Sequence, residues 1–480
     1  MSGFSYTRIK FSIGILFLAG FLPCFAAAET KAPNVIFILA DDLGYGDISC
    51  NGQKLYATPN IDRLALEGMK FTECYAGSSV CAPSRCSLMT GLDTGHAPVR
   101  GNAEIWPEGQ QPMPGDTFTV AELFKRAGYE TGIFGKWGLG APGSASEPLE
   151  MGFDHFYGYN CQRQAHHRYP YFLWDDEQRE MLWGNFGLER EEYADDLINW
   201  KVLEFINANK KRPFFCYYTP ALPHAEMLAP EKYMEKYRGK FPPEHPYHGV
   251  DGGPKFRKGD YASQSAPNAA HAAMISCLDD YVGKILKELK QLEIADNTIV
   301  FFSSDNGPHD EGGNAPAYFH SAGPFRGIKR DLYEGGIRIP FIACWPGHIR
   351  AASETDRVTA LWDFLPTMAD MTGQPVPANT SGISFLPTLL GRPGQKEHEY
   401  LYWEFHEQGG RMAIRRGKWK GVRYNVDQNP ASPLELYDLS KDPGETINVA
   451  GKHPEVVSEL DHLLRTARAR SPIPEFNFSQ

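Results

Sequence analysis

Cys81-Ala82-Pro83-Ser84-Arg85-Cys86-Ser87-Leu88-Met89-Thr90-Gly91 is the most informative stretch of this sequence. It predicts the start of a helix, because Pro83 suits a first turn, where its missing N–H is not needed, and Leu88 and Met89 begin an apolar face. Cys81 would lie at the positive end of the helix dipole near Arg85, where an anionic substrate or a thiolate is stabilised. A cysteine in this position is more often an inert buried residue, so the surrounding pattern must decide its function.

Two predicted buried strands each end in a pair of polar residues. Asn34 to Ala40 is followed directly by Asp41-Asp42, and Thr298 to Ser304 is followed by Asp305-Asn306. Open α/β sheets keep their sites at the carboxyl ends of the strands, and carboxylate and amide oxygens suit a hard cation such as Ca²⁺ or Mg²⁺. Each pair alone could also be a turn. The sequence therefore predicts a cation site if the two pairs meet.

The cysteine stretch fits the pattern C-x-P-S-R-x-x-L-x-T-G, which resembles the signature of the type I sulfatases of the alkaline-phosphatase superfamily. The resemblance implies that Cys81 is oxidised after synthesis to formylglycine (3-oxoalanine), whose hydrate attacks sulfur and then helps to expel sulfate. It implies that Arg85 binds and orients this group and that Asp305 assists its deprotonation. It also implies one calcium ion, with the ligands Asp41, Asp42, the modified Cys81, Asp305 and Asn306.

Three further segments resemble sulfatase motifs. Gly135-Lys136-Trp137 resembles G-K-W, in which the lysine contacts sulfate. His224 follows a predicted strand and resembles the histidine that protonates the departing alcohol oxygen. Residues 324–336 match another family segment, in which Lys329 would bridge sulfate and the leaving oxygen. The resemblance therefore makes Lys136, His224 and Lys329 both catalytic and substrate-binding candidates.

The sequence departs from the family pattern at Gly138, where many sulfatases carry a histidine that holds the formylglycine hydroxyl. His309 or His166 could supply that contact, and both lie in polar loops that could line a substrate pocket. Arg326 is a further candidate for a basic substrate pocket, unless it pairs with a nearby carboxylate.

Alternating strands and helices over residues 32–371 predict an α/β catalytic domain whose large, mainly parallel sheet is sandwiched by helices, and the resemblance implies an alkaline-phosphatase-like fold. Residues 372–396, rich in Gly, Pro, Ser and Thr, predict a linker. Residues 397–480 predict a small C-terminal α+β domain with an antiparallel sheet and a terminal helix. The predicted strands of the large domain are Asn34–Ala40, Tyr129–Phe134, Phe214–Thr219, Thr298–Ser304 and Phe341–Trp345, and its predicted helices are 60–68, 119–127, 193–208 and 269–291.

Residues 1–28 predict a secretory signal peptide. Arg8 and Lys10 precede a mostly apolar run from Phe11 to Phe25, and Ala26-Ala27-Ala28 offers a small-residue cleavage site. A retained membrane anchor is the alternative, but the run is short against the ~20 apolar residues that a span needs. We therefore expect export, to a periplasm or to the exterior, without a stable membrane anchor.

Export would place the cysteines in a compartment that permits disulfides. Eight of the nine cysteines remain after cleavage, and seven if Cys81 is converted, so at least one stays unpaired. Cys216 and Cys344 lie in apolar runs and are predicted to be buried free thiols.

The chain has 480 residues and a formal net charge of −11, which argues against general nucleic-acid binding. The main hypothesis is an exported sulfatase that acts on a sulfated carbohydrate, with aryl sulfates as sufficient model substrates and a formylglycine-generating enzyme as maturation partner. One alternative is a phosphoester or phosphonate ester hydrolase of the same superfamily. The other is a catalytically silent protein that binds sulfated glycans with an unconverted Cys81.

Overall fold

The computed structural model describes residues 1–10 and 32–478. Most of the predicted signal peptide, including its apolar run and Cys24, lies outside the described residues. All the strands and helices that the structure describes belong to the compact unit that begins at Ala32. Within the described residues, none of the helices combines the length and the hydropathy needed to cross a bilayer.

An eleven-stranded mixed sheet forms the larger layer, with the spatial order β10-β2-β9-β8-β1-β7-β3-β4-β5-β6 and β11 paired to β2. Its central strands β8, β1, β7, β3 and β4 are parallel to one another. The strands are β1 (Asn34–Ala40), β2 (Met69–Tyr75), β3 (Glu130–Lys136), β4 (His155–Tyr159), β5 (Phe172–Asp175), β6 (Gln178–Met181), β7 (Phe214–Thr219), β8 (Thr298–Ser304), β9 (Arg338–Cys344), β10 (Ser353–Thr355) and β11 (Thr359–Ala360).

Helices cover both faces of this sheet, as the sequence predicts. Alternate residues of β1 enter two different cores, Ile36 and Ile38 on one face and Phe37 and Leu39 on the other. This is why β1 is apolar throughout rather than alternating. The helices are α1 (Pro59–Glu67), α2 (Cys81–Thr90), α3 (Val120–Arg126), α4 (Gln162–Ala165), α5 (Ala194–Asn209), α6 (Glu231–Met234), α7 (Pro267–Gln291), α8 (Pro316–Phe319), α9 (Glu334–Ile337), α10 (Phe364–Thr372), α11 (Leu386–Leu389) and α12 (Pro454–Thr466).

The strand predicted at Phe341–Trp345 begins earlier, at Arg338, as β9. It runs antiparallel to both neighbours, β2 and β8, within a sheet whose central strands are parallel. The chain between Ser304 and Arg338 contains only short helices and stays at the carboxyl edge of the sheet. Because no crossover helix returns it to the other edge, the next strand must run backwards.

A four-stranded antiparallel sheet follows, with the strands β12 (Leu401–Phe405), β13 (Arg411–Arg416), β14 (Trp419–Tyr424) and β15 (Glu435–Asp438) in that order. Helix α12 packs on it through Leu460 and Leu464, which confirms the predicted sheet and terminal helix. The segment predicted as a linker contains α11, and Phe385 packs against Phe71 and Phe341 of the main core. The division at residues 371 and 397 stays a prediction.

The eight cysteines in the described part of the chain are all free. Cys216 and Cys344 are buried, as the sequence predicts.

Candidate active site

Cys81 is the first residue of α2, a helix that is buried along its whole length. Its Sγ lies 3.4 Å from Asp41 Oδ1 and 3.9 Å from Asp42 Oδ1. Burial raises the pKa of the Cys81 thiol well above its usual value. The unmodified side chain is therefore a neutral thiol that faces carboxylates, and the stabilised thiolate that the helix position suggested is not formed.

The two polar pairs predicted at the strand ends do meet. Strands β1 and β8 are adjacent and parallel, with Ala40 opposite Ser304, so Asp41-Asp42 and Asp305-Asn306 emerge side by side. The backbone N–H of Asp42 donates to Asp305 Oδ1 at 3.0 Å, and Asn306 Nδ2 donates to Asp42 Oδ1 at 2.7 Å. Asp42 adopts a left-handed backbone with a φ of 63°, a conformation that is uncommon outside glycine. All four side chains are buried.

These four residues fit a hard cation. They offer carboxylate and amide oxygens, the donors that Ca²⁺ and Mg²⁺ prefer. Asn306 Oδ1 is buried and has no hydrogen-bond partner among the described residues. A half-turn of that amide would aim the oxygen at Asp42, an arrangement that only a positive charge between them would favour. Ligand atoms of Asp41, Asp42, Cys81 and His224 lie within 4.8 Å of one another.

Three buried cations face the carboxylates. Arg85 donates from Nε and Nη2 to Asp305 Oδ2, at 3.0 and 2.9 Å, and from Nη1 to the Lys136 carbonyl at 2.7 Å. Lys136 Nζ donates to both oxygens of Asp41, at 3.0 and 2.8 Å. Lys329 Nζ, which reaches the cluster from the loop before β9, donates to Asp42 Oδ2 at 2.8 Å. The cluster is thus an ionic core rather than a solvated surface.

The carboxylates differ in their affinity for a proton. Burial opposes ionisation of Asp41, but the charges of Lys136 and its neighbours keep the pKa of Asp41 well below its usual value. Burial and the negative charge of Asp41 raise the pKa of Asp305 to about 7, against the effect of Arg85. Asp305 is therefore the carboxylate that can exchange a proton near neutrality.

His224 follows β7, and both nitrogens of its ring form hydrogen bonds. Its Nδ1 donates to the carbonyl of Ala225, so its Nε2 accepts from Lys329 Nζ at 3.0 Å. Burial and the charge of Lys329 lower the pKa of His224 to about 4. The imidazole is therefore neutral at pH 7, while Lys329 carries the proton between them.

His166 and His309 both stack on His224, with ring centroids 5.3 and 5.7 Å from its ring. His309 Nε2 donates to the Pro223 carbonyl at 3.1 Å, and its Nδ1 accepts from the Glu311 N–H at 3.0 Å. Both nitrogens of His309 are thus bound to the backbone, which leaves it no free hydrogen-bonding position. Burial lowers the pKa of both histidines, so the stack is uncharged.

Glu311 belongs to the cluster although the sequence analysis did not single it out. Its Oε2 accepts from Lys329 Nζ at 3.2 Å and from Tyr261 OH at 2.9 Å, and its Oε1 accepts from Arg330 Nη2 at 2.6 Å. Its position two residues after His309, in the loop that follows Asp305-Asn306, was the available signal. Tyr261 had no such signal, because it is brought in from a distant loop.

Arg326 is not brought into this cluster, and the substrate-binding role predicted for it stays a prediction. Its side chain is exposed and lies over the ring of Tyr333, 3.9 Å from the centroid. It donates to Tyr437 OH at 3.1 Å and to the Glu445 carbonyl at 3.3 Å. Arg326 therefore joins its loop to the C-terminal sheet.

Gly138 is covered by Gln162, the first residue of α4. Gly138 has a φ of +76°, and a Cβ there would lie 2.6 Å from Gln162 Oε1. The Gln162 carboxamide is buried, and neither of its polar atoms has a partner among the described residues. The space that a side chain at position 138 would enter is therefore filled by Gln162, and not by His166 or His309.

Comparisons with known proteins agree with this geometry. The Sulfatase family model matches residues 33–374, and the model for the C-terminal part of N-sulphoglucosamine sulphohydrolase matches residues 326–470. An N-acetylgalactosamine-6-O-sulfatase of Bacteroides thetaiotaomicron is 30% identical over an alignment of 532 positions, which covers 92% of this chain and 94% of the relative. Human arylsulfatase A is 31% identical over 488 residues, covering 91% of this chain and 88% of its own.

The fold comparison gives the same result. The crystal structure of Ps i-CgsB in complex with k-i-k-neocarrahexaose has a TM-score of 0.74 and 25% sequence identity, and the match covers 91% of this chain and 93% of that one. The residues that match the Sulfatase family model, 33–374, contain the buried cysteine, the two carboxylate pairs and both lysines. The chain therefore belongs to the sulfatase family, and it is a sulfuric ester hydrolase with the alkaline-phosphatase-like fold of that family.

Proposed function

We propose that the protein is an exported sulfatase that hydrolyses a sulfate ester of a carbohydrate, using a formylglycine made from Cys81 and one calcium ion. The observation that carries the proposal is the contact of Cys81 with Asp41 and Asp42, in a buried cluster that also holds two lysines. The similarity to an N-acetylgalactosamine-6-O-sulfatase over 92% of the chain supports a sugar substrate.

Asp305 and Arg85 would prepare the nucleophile. A maturation enzyme that generates formylglycine would act on Cys81, and the hydrated aldehyde supplies a hydroxyl that can attack sulfur. Asp305 is suited to accept the proton of that hydroxyl, because its carboxylate lies close enough to Cys81 for its charge to act on that side chain. The paired hydrogen bonds from Arg85 fix the orientation of the Asp305 carboxylate.

Asp41, Asp42, Asp305 and Asn306 would hold the calcium ion, which supplies positive charge against the negative charge that develops at sulfur. Lys136 and Lys329 are bound to the first two of these carboxylates. Because an ion would compete for the same oxygens, the two ammonium groups would become available to sulfate oxygens. The same residues would thus change partners between the resting and the substrate-bound site.

Lys329 and His224 together would protonate the leaving oxygen. Burial and Lys329 keep His224 neutral, with a pKa of about 4, so it cannot donate a proton from Nε2 at pH 7. The ammonium of Lys329, 3.0 Å from that nitrogen, carries the proton instead. Lys329 would pass it to the alcohol oxygen as the S–O bond breaks, and His224 would hold the ammonium in position.

The first experiment is mass spectrometry of the peptide that carries Cys81, from protein purified from its own host. We expect the mass of the aldehyde, and we expect Cys81→Ala to abolish sulfate release while Cys86→Ala, a change of another buried cysteine in the same helix, retains it. An unmodified thiol together with no sulfate release would favour the catalytically silent glycan-binding protein or a different hydrolase.

Turnover of a sulfate ester and of the matched phosphate ester at equal concentration tests the substrate class. We expect the sulfate ester to be the better substrate. A faster phosphate ester would favour the phosphoester or phosphonate ester hydrolase instead.

Export is tested by locating the protein in fractionated cells and by sequencing its N-terminus. We expect a mature chain that begins close after Ala28. Recovery of the uncleaved chain from the membrane fraction would support the retained anchor.

A further inference from the structure

A cleft of about 420 Å³ is lined in part by His167, the residue that follows the stacked His166. Its wall includes Arg257 and Lys258, and the residue that follows them, Gly259, binds two histidines. His166 Nδ1 donates to the Gly259 carbonyl at 2.8 Å, and the Gly259 N–H donates to His167 Nε2 at 2.9 Å. The ring of His166 stacks on the ring of His224. The loop that contains Gly259 therefore lies between the cleft and the two residues proposed to protonate the leaving oxygen, Lys329 and His224.

Aromatic rings line this cleft, and one of them is open to solvent. Trp106 is 68% exposed, although it lies at the mouth of a cavity. Arg163 lies over its ring at 5.2 Å, and Arg257 lies over the ring of Tyr171 at 4.9 Å. A flat ring with one apolar face free and polar groups around it suits a ligand that is apolar on one face and polar at its edge. A sugar ring has that character.

The cleft also carries positive charge without enough negative charge to balance it. Arg163 and Arg179 pair with carboxylates, Glu104 and Glu108. Arg257 is held instead by two backbone carbonyls, those of Asn185 and Glu189. Lys258 is exposed and forms no ion pair within residues 32–478. Arg257 likewise forms no ion pair within residues 32–478, although the charge of Glu226 acts on it at longer range. Two cations without a paired carboxylate, in a chain of net charge −11, make a local site that attracts anions.

We propose that this cleft binds a second, anionic sugar unit of the substrate, next to the unit whose sulfate ester is hydrolysed. Trp106 stacks on the ring of that unit, and Arg257 and Lys258 bind its sulfate or carboxylate. The preferred substrate is therefore an anionic oligosaccharide rather than a sulfated monosaccharide. This inference rests on the proposed function and adds to it the size and charge of the substrate.

The test compares small and large substrates in matched variants. The probes are an aryl sulfate, N-acetylgalactosamine 6-sulfate, and hexasaccharides of chondroitin 6-sulfate and of carrageenan. In Trp106→Ala and Lys258→Gln, we expect kcat/KM for the better hexasaccharide to fall about tenfold, the effect of losing one charged hydrogen bond or one stacking contact. Turnover of the aryl sulfate should stay within about twofold, because neither residue belongs to the buried cluster.

The controls are Trp200→Ala and Lys255→Gln, which remove an exposed tryptophan and an exposed lysine outside the cleft and should change neither activity. Calorimetric binding of the hexasaccharides to Cys81→Ala protein separates this inference from the proposed function, since it needs no turnover. Binding that is weakened about tenfold by Trp106→Ala would support the cleft even if no sulfate were released. Equal hexasaccharide binding and turnover in wild-type and variant proteins, or no binding of either hexasaccharide by the wild type, would overturn it.

Discussion

Replacing Glu404 with glutamine should destabilise the protein without touching the active-site cluster. Glu404 lies in β12 and is fully buried. It accepts hydrogen bonds from Arg100 Nη1 at 2.9 Å, Arg468 Nε at 2.7 Å, His406 Nε2 at 2.9 Å and Tyr402 OH at 2.8 Å. Because Arg100 belongs to the segment after α2, this carboxylate joins the C-terminal sheet to the part of the chain that carries Cys81.

The expected loss of unfolding free energy follows from the pKa of Glu404. Burial opposes its charge, but the hydrogen bonds and charges of its partners lower its pKa from 4.5 to about 2. A difference of roughly 2.5 pKa units at 1.36 kcal/mol each corresponds to about 3 kcal/mol. Glutamine keeps the shape but leaves the buried guanidinium of Arg100 without a counter-charge, a loss of the same order. We expect the free energy of unfolding at pH 7 to fall by about 3 kcal/mol.

The low pKa of Glu404 also determines how the stability of the protein depends on pH. The pKa of Glu404 is lower in the folded than in the unfolded chain, so its stabilisation is complete above about pH 4.5 and is lost as the pH falls toward 2. Urea unfolding followed by tryptophan fluorescence at pH 7 and pH 3 should therefore show a smaller difference between wild type and Glu404→Gln in acid. Glu399→Gln, whose side chain is 72% exposed, should behave like wild type at both pH values. A loss below about 1 kcal/mol at pH 7, or an equal difference at both pH values, would refute this reasoning.

Three further changes test the proposed site. Lys329→Met should lower kcat on an aryl sulfate by on the order of 100-fold, because it removes the charged group that contacts His224; near-normal turnover would exclude Lys329 as proton donor. Gly138→His should lower the thermal midpoint, because its Cβ would lie 2.6 Å from Gln162 Oε1, and adding Gln162→Gly should recover part of the loss; an unchanged midpoint in the single variant would be inconsistent with the packing. Asp305→Ala should abolish both activity and bound calcium, as measured by metal analysis, and retention of one ion per chain would remove Asp305 from the ligand set.

Local sequence signals predicted much of the sheet and of the cluster. An apolar run followed at once by a polar pair located both β1 with Asp41-Asp42 and β8 with Asp305-Asn306, since each signal is contained in consecutive residues. Residues that join the site through long-range packing had weaker signals or none. Tyr261 reaches Glu311 across 50 positions of sequence, and no local pattern marks that contact.

The direction of a strand and the charge state of a buried side chain could not be predicted from local sequence signals either. β9 is antiparallel because the loop before it ends at the carboxyl edge of the sheet, where the strand must begin. The residues of the strand itself do not determine this direction. The neutral state of His224 depends on burial and on Lys329, which is 105 positions away. Gln162 covers Gly138 because the parallel pairing of β3 and β4 brings the ends of these strands together. Each of these facts requires the three-dimensional arrangement.

If Cys81 is converted to formylglycine as proposed, the burial of α2 has a kinetic consequence for the production of active protein. Cys81 is 1% exposed and lies beneath two strand ends, so a maturation enzyme could reach it only while the chain is unfolded. Conversion and folding would then be competing processes, and a chain that folds first would retain its thiol permanently. Two preparations with the same structure and stability could therefore differ in specific activity, in proportion to the ratio of the two rates during synthesis.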